Sequence, residues 1–207
     1  MIDRRTVYLV DDDASMRRAL SRLITASGLE IRTFASAQEF LGSTLDDGPN
    51  CLLLDIRLPG VSGLELQASL ASTHATVPII FLTGHGTVPD CALAMRGGAI
   101  DFFEKPVDGE RLLSAVERAL EISRESLAVD DERQAIRHRL DTLTRREREV
   151  LSLVVTGVLN KQIAYELGAA EKTIKVHRAR VMDKMAANSV ADLVRMLHKL
   201  GVDTAHR

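Results

Sequence analysis

Over the first 122 residues, short apolar runs alternate with amphipathic stretches. Thr6–Val10 has strand character. From Ala14 to Ser27 the apolar side chains Met16, Ala19, Leu20, Leu23 and Ile24 recur with the helical period, and Gly28 stops the pattern. Leu29–Phe34 predicts a second strand and Ala37–Leu41 a short helix. Cys51–Leu54 and Val77–Leu82 are unbroken apolar runs, the pattern of strands covered on both faces. Helical stretches follow each of them, over Leu64–Leu70 and Pro89–Arg96. Ile100–Phe103 predicts a fifth strand and Arg111–Ile122 a fifth helix. Strands alternating with helices predict a doubly wound α/β fold, a five-stranded parallel sheet with helices on both faces.

The pattern changes after Ile122. Neither Gly nor Pro occurs between Glu110 and Thr156, and residues 123–140 mix charges with scattered apolar positions, which predicts a largely helical linker. Residues 141–207 read as an all-α four-helix domain. The predicted helices are Arg145–Val155, Asn160–Leu167, Glu171–Met185 and Ser189–Leu200. Thr144 with Glu147 three residues later forms a capping box ahead of the first. The short turn Gly168-Ala169-Ala170 between the second and third is the spacing of a helix-turn-helix.

Charge separates the same two regions. Residues 1–122 hold 11 basic and 17 acidic side chains, residues 141–207 hold 12 and 8, and the stretch between them is balanced. The first region therefore suits a cation and the second a polyanion. No apolar run approaches the roughly 18 residues of a membrane span, and the first residues lack the apolar core of a secretory signal, so a cytoplasmic protein is expected. Cys51 and Cys91 have no partner at metal-ligand spacing and are expected to be small buried hydrophobes in a reducing compartment.

Asp11-Asp12-Asp13, Asp55, Thr83 and Lys105 each follow a predicted strand. In an open parallel sheet the carboxyl ends of the strands line one crevice, so these residues are expected to form one site. Singly, each has an ordinary structural explanation; their joint placement points to function. Clustered carboxylates repel one another and raise each other's pKa unless a hard cation such as Mg2+ joins them. With a cation present, an Asp carboxylate is a competent nucleophile toward a phosphoryl donor. Lys105 would neutralise the transferring oxygens, and Thr83 would hydrogen-bond the new phosphoryl group. Lys105-Pro106 after a strand suits a cis turn.

In the third C-terminal helix, Ile174, Val181 and Met185 must face the core, which leaves Lys172, Lys175, Val176 and Ala179 outward. Lys can donate to guanine and Val can meet a thymine methyl in the major groove. Lys161, Arg178 and Arg180 suit phosphates.

Several segments carry a family resemblance. Val10-Asp11-Asp12-Asp13, Leu54–Gly63, Thr83-Gly84-His85-Gly86 and Asp101-Phe102-Phe103-Glu104-Lys105-Pro106 resemble a response-regulator receiver domain of flavodoxin-like fold. Leu143–Leu151, Asn160-Lys161-Gln162-Ile163-Ala164 and Thr173–Arg178 look like the LuxR/NarL effector domain, and the whole chain is similar to FixJ-type response regulators. The resemblance implies a receiver over 1–122, a linker over 123–140 and a DNA-binding domain over 141–207. It implies that Asp55 accepts the phosphoryl group from a sensor histidine kinase. Asp12, Asp55 and the Arg57 carbonyl would bind Mg2+, with Asp11 acting through water. It assigns Phe102 as an aromatic that swings inward when Thr83 moves, and places His85 and Arg57 where phosphoryl lifetime is tuned.

For output, the resemblance implies a homodimer on phosphorylation, formed through the Pro89–Arg96 helix and the last strand. The last helix would pair two effector domains on promoter double-stranded DNA, with RNA polymerase as a further partner. Lys161, Lys172, Thr173, Lys175, Val176, Arg178, Ala179 and Arg180 would contact the DNA. The chain departs from relatives at Ala169-Ala170, where Ile-Ser is usual, so the recognition helix loses a capping side chain worth ~1 kcal/mol. Ala179 stands where some relatives have Lys, and Val107 where Phe is common. Two other classes are open. An aspartyl-phosphate phosphatase would want an acid or base two residues after Asp55, where Arg57 stands, so no enzymatic turnover is expected. An RNA- or protein-binding output would differ from the DNA reading in nucleic-acid preference.

Overall fold

The computed structural model describes residues 5–72, 77–84 and 86–202. Five parallel strands form one sheet in the order β2-β1-β3-β4-β5. They are β1 (Thr6–Val10), β2 (Glu30–Phe34), β3 (Asn50–Asp55), β4 (Ile79–Thr83) and β5 (Asp101–Glu104). The helices between them are α1 (Ala14–Ala26), α2 (Ala37–Leu41), α3 (Gly63–Ser72) and α4 (Val88–Arg96). The doubly wound parallel fold expected from the hydrophobic pattern is what forms, with strand ends displaced by one or two residues.

The alternation of side chains along a strand explains the unbroken apolar runs. Val7 and Leu9 of β1 point to one face, where Leu20 and Ile24 of α1 cover them together with Leu112 and Val116. Tyr8 and Val10 point to the other face, where they meet Phe40 of α2, Leu66 of α3 and Ala94 of α4. Each residue of a doubly covered strand thus meets protein on its own side.

Helix α5 runs from Gly109 to Asp141, so the expected fifth helix and the largely helical stretch expected over 123–140 form one continuous element. The absence of Gly and Pro permits this, and packing holds it at both ends. Ser123 is buried and its hydroxyl accepts the Asn50 N–H at 3.0 Å. Further along, Ile136 is 2% exposed in the core of the C-terminal helices. Two compact units result, residues 1–128 and 129–207.

The second unit contains α6 (Arg145–Val155), α7 (Asn160–Glu166), α8 (Glu171–Met185) and α9 (Val190–Lys199). Val150, Leu151, Ile163, Ile174, Val181, Met185, Leu193 and Leu197 form its core. The expected capping box is present on α6: Glu147 N–H donates to the Thr144 hydroxyl and Thr144 N–H to the Glu147 carboxylate. Ala170 begins α8 with no side-chain cap, as its methyl dictates. Among the described residues no helix is long and apolar enough to cross a membrane. Cys51 is buried, and burial pushes its thiol up to about 12; Cys91 is only half-buried.

Candidate functional site

Strand register builds the first site. Val10 pairs with Leu54, Asp55 with Leu82, and Thr83 with Glu104. The residues at or just beyond these ends, Asp11, Asp55, Thr83 and Lys105, therefore stand side by side across four adjacent strands. β2 ends at Phe34 and contributes no polar group to the row. The crevice lies where the winding reverses between β1 and β3.

Lys105 Nζ is 2.6 Å from an oxygen of Asp11 and 2.6 Å from an oxygen of Asp55. The Lys105–Pro106 peptide is cis. The second Asp55 oxygen accepts the Arg57 N–H at 3.0 Å, and the second Asp11 oxygen accepts the Asp13 N–H at 2.9 Å. Asp11, Asp55 and Thr83 are buried, whereas Asp12 is exposed at the mouth. Burial pushes the Asp11 carboxyl above its ordinary value despite the hydrogen bonds from Lys105 and the Asp13 N–H. Burial alone would depress the Lys105 ammonium, but its bonds to Asp11 and Asp55 outweigh this and hold it above its ordinary value.

One carboxylate oxygen each from Asp11, Asp12 and Asp55 lie within 4.8 Å of one another. This all-oxygen, anionic donor set fits a hard divalent cation, and its open side at Asp12 leaves room for water or phosphate ligands. The same donor set gives no soft sulfur or imidazole ligand that would favour zinc.

Two supports escaped sequence reasoning. Arg17 Nη1 donates to the Asp11 carbonyl at 2.6 Å and so fixes the loop that aims the acids. Gly63 opens α3 with its N–H on the Ile56 carbonyl at 2.9 Å. A Cβ at Gly63 would lie 2.2 Å from the Asp55 carbonyl oxygen, a backbone atom that cannot step aside. A small residue eight positions after Asp55 was the available signal, but only the close approach reveals its purpose. His85 lies outside the described residues. Phe102 is half-buried and packs against the α2–α4 face of the sheet.

In the second unit, Lys161, Lys172, Thr173, Lys175, Val176, Ala179 and Arg180 are all exposed. Ile174, Val181 and Met185 are buried, so α8 turns the expected face outward. Arg178 is half-buried and its Nη1 donates to the Asn160 side-chain oxygen at 3.0 Å, which fixes the guanidinium beside α7. Lys175 reaches Glu171 at 3.2 Å, an exposed pair worth little. Lys184, also basic and on α8, has a structural task. Its ammonium lies 2.6 Å from the buried Glu147 carboxylate and 3.0 Å from the Thr142 carbonyl.

Residues 7–117 match the family of response regulator receiver domains. Residues 141–197 match the luxR family of bacterial regulatory proteins. The chain is 48% identical over 200 residues to nodulation protein W of Bradyrhizobium diazoefficiens, covering 97% of this chain and 88% of that one. It is 44% identical over 191 residues to the transcriptional regulatory protein FixJ of Rhizobium meliloti, covering 92% and 94%. Among solved structures, that of the response regulator StyR is 41% identical with a TM-score of 0.84, covering 95% of this chain and 99% of that one.

Proposed function

We propose, on the premise that this chain belongs to the response regulators that join a receiver domain to a LuxR-type DNA-binding domain, that Asp55 is its phosphoryl acceptor and α8 its DNA-reading helix. The observation that carries the first half is Lys105 Nζ at 2.6 Å from both Asp11 and Asp55. That geometry holds a cation against the acceptor carboxylate and leaves the cluster of Asp11, Asp12 and Asp55 two positive charges short of balance.

An Asp55 carboxylate oxygen attacks the phosphorus of a histidine-bound phosphoryl group carried by a sensor kinase. The P–N bond breaks, the imidazole regains a proton, and an acyl phosphate forms on Asp55. Lys105 exchanges its Asp55 oxygen for a phosphoryl oxygen and stabilises the charge that builds there. Thr83, at the adjacent strand end, donates its hydroxyl to another. Asp11, Asp12, Asp55 and the Arg57 carbonyl would hold Mg2+, which when bound screens the acids and the incoming phosphoryl oxygens. Arg57 two residues beyond Asp55 offers no acid to activate a hydrolytic water, so the reading is a switch without enzymatic turnover.

Movement of Thr83 toward the phosphoryl group lets Phe102 follow and changes the face made by α4 and β5. That face then pairs with a second copy, and α9 pairs the effector domains on promoter DNA, where RNA polymerase is the further partner. Lys175, Val176 and Ala179 meet base edges; Lys161, Lys172, Thr173, Arg178 and Arg180 meet the backbone. The protein acts in the cytoplasm.

The test is sedimentation of wild type and Asp55→Asn in Mg2+, with and without a small acyl phosphate. Donor-dependent dimerisation in wild type alone supports the reading. A phosphorylated wild type that stays monomeric removes dimerisation from it. For the DNA half, Lys172→Ala is expected to lower the salt slope of duplex binding by about 1 and to weaken all sequences alike. Equal binding to duplex RNA would defeat it.

A further inference from the structure

Between Thr83 and the start of α4, Gly86 occupies a place that no other residue could take without displacing the proposed switch. Its φ lies outside the left-handed region, so backbone conformation is not the reason for a glycine. Space is. A Cβ built on Gly86 would lie 2.6 Å from Thr83 Cγ2 and 2.7 Å from Phe102 Cζ, with Phe102 Cε1 at 3.1 Å. The first two distances are far inside van der Waals contact and the third is tight, and the groups touched are the two side chains assigned to the switch.

The backbone on either side is tied down. The Thr83 carbonyl accepts the Lys105 N–H at 2.7 Å. Thr87 caps α4, taking the Asp90 N–H on its hydroxyl and giving its own N–H and hydroxyl to the Asp90 carboxylate. A methyl group at position 86 would meet the far ends of the Thr83 and Phe102 side chains, which can turn away. In this arrangement the unmodified Asp55 carboxylate itself takes the Lys105 ammonium, at 2.6 Å.

We propose that Gly86 is a steric gate: its missing side chain is what allows Thr83 and Phe102 to rest in the unphosphorylated arrangement. The gate rests on the Thr83–Phe102 switch proposed above. Any side chain at position 86 raises the free energy of the resting arrangement and shifts the population toward the other one without phosphorylation. Overlaps of this kind typically shift an equilibrium by about tenfold or more.

The experiment is sedimentation of the full chain in Mg2+ as Gly86→Ala, Gly86→Ala with Asp55→Asn, and Gly86→Ala with Phe102→Ala. The expected result is a dimer dissociation constant about tenfold lower than wild type without donor in the first two. The third, in which the ring is gone, is expected to return toward the wild-type monomer. A folded Gly86→Ala protein as monomeric as wild type, in a wild type that does respond to donor, overturns the gate alone. A wild type that takes up phosphate and stays monomeric overturns the switch reading and the gate with it. Should Gly86→Ala not fold, Gly86→Ala with both Thr83→Ser and Phe102→Ala removes every side-chain atom in its way and is expected to restore folding. Failure of that variant to fold overturns the claim that only side chains must yield.

Discussion

Asp11 in the receiver is 0% exposed and Glu147 in the effector domain 2%, and each holds a lysine ammonium at 2.6 Å. Their environments nevertheless act in opposite directions. Around Asp11, burial outweighs the hydrogen bonds from Lys105 and the Asp13 N–H, and the carboxyl is pushed up. Around Glu147, the hydrogen bond from Lys184, followed by that from the Thr144 N–H, exceeds the effect of burial, and the carboxyl is held down at about 2. The difference is chiefly one of burial, which leads at Asp11 and to which the neighbouring Asp55 charge adds least, whereas the Lys184 hydrogen bond leads at Glu147. Lys105 is shared between Asp11 and Asp55, with Asp12 a third carboxylate nearby. Lys184 has Glu147 alone, plus the Thr142 carbonyl. An ion pair whose charges are matched is a structural clasp. One with surplus anions retains affinity for a cation and for a chemistry that uses one.

The comparison breaks most completely at Asp55. Asp55→Asn is expected to abolish phosphate incorporation from a small donor, read as the loss of the phosphoryl adduct in the intact mass, while duplex DNA affinity of the unmodified protein stays unchanged. Lys105→Ala keeps the nucleophile and removes the cation; the rate of adduct formation is expected to fall about 100-fold. An unaltered rate would mean that the shared ammonium is a clasp like Lys184.

Glu147→Ala tests the other side. The effector domain is expected to lose about 2 kcal/mol, read by denaturant unfolding of the helical signal, with phosphorylation of Asp55 untouched. The folded carboxyl is depressed, so its contribution is whole above the ordinary value of 4.5 and drains away as pH falls toward about 2. The gap between wild type and Glu147→Ala should therefore close across that window. A gap that is constant from pH 7 to pH 2 would locate the effect in packing instead. The smallest expected effect is a gain. Ala170→Ser supplies the missing cap of α8 and should stabilise the effector domain by about 1 kcal/mol without changing the receiver.

Much of the receiver was legible in the chain because its apolar runs are short, uninterrupted and punctuated by glycine. Cys51–Leu54 needed no partner to read as a doubly covered strand, and the polar residues that follow each strand could be assigned to one crevice from topology alone. The effector helices were legible for the same reason: Ile174, Val181 and Met185 leave only one face of α8 free. Lys184 was not. On sequence it is one more basic residue on a basic helix, and its withdrawal to Glu147 depends on α6 lying against α8. Gly63 and Gly86 were equally opaque, since a glycine in sequence does not say whether it serves a turn or a close approach.

By itself, then, the sequence determined which segments become strands and helices, that one half is acidic and the other basic, and which residues stand at strand ends. These follow from periodicity and from local charge, quantities carried by neighbours in the chain. Only the tertiary structure decided how charges and space are shared. Lys105 divides its ammonium between carboxylates 94 and 50 residues away, Lys184 is drawn to one 37 away, and Gly86 abuts a ring 16 positions on. Such pairings depend on strand register and helix packing to within an ångström, because hydrogen bonds and steric overlap change sign over that distance.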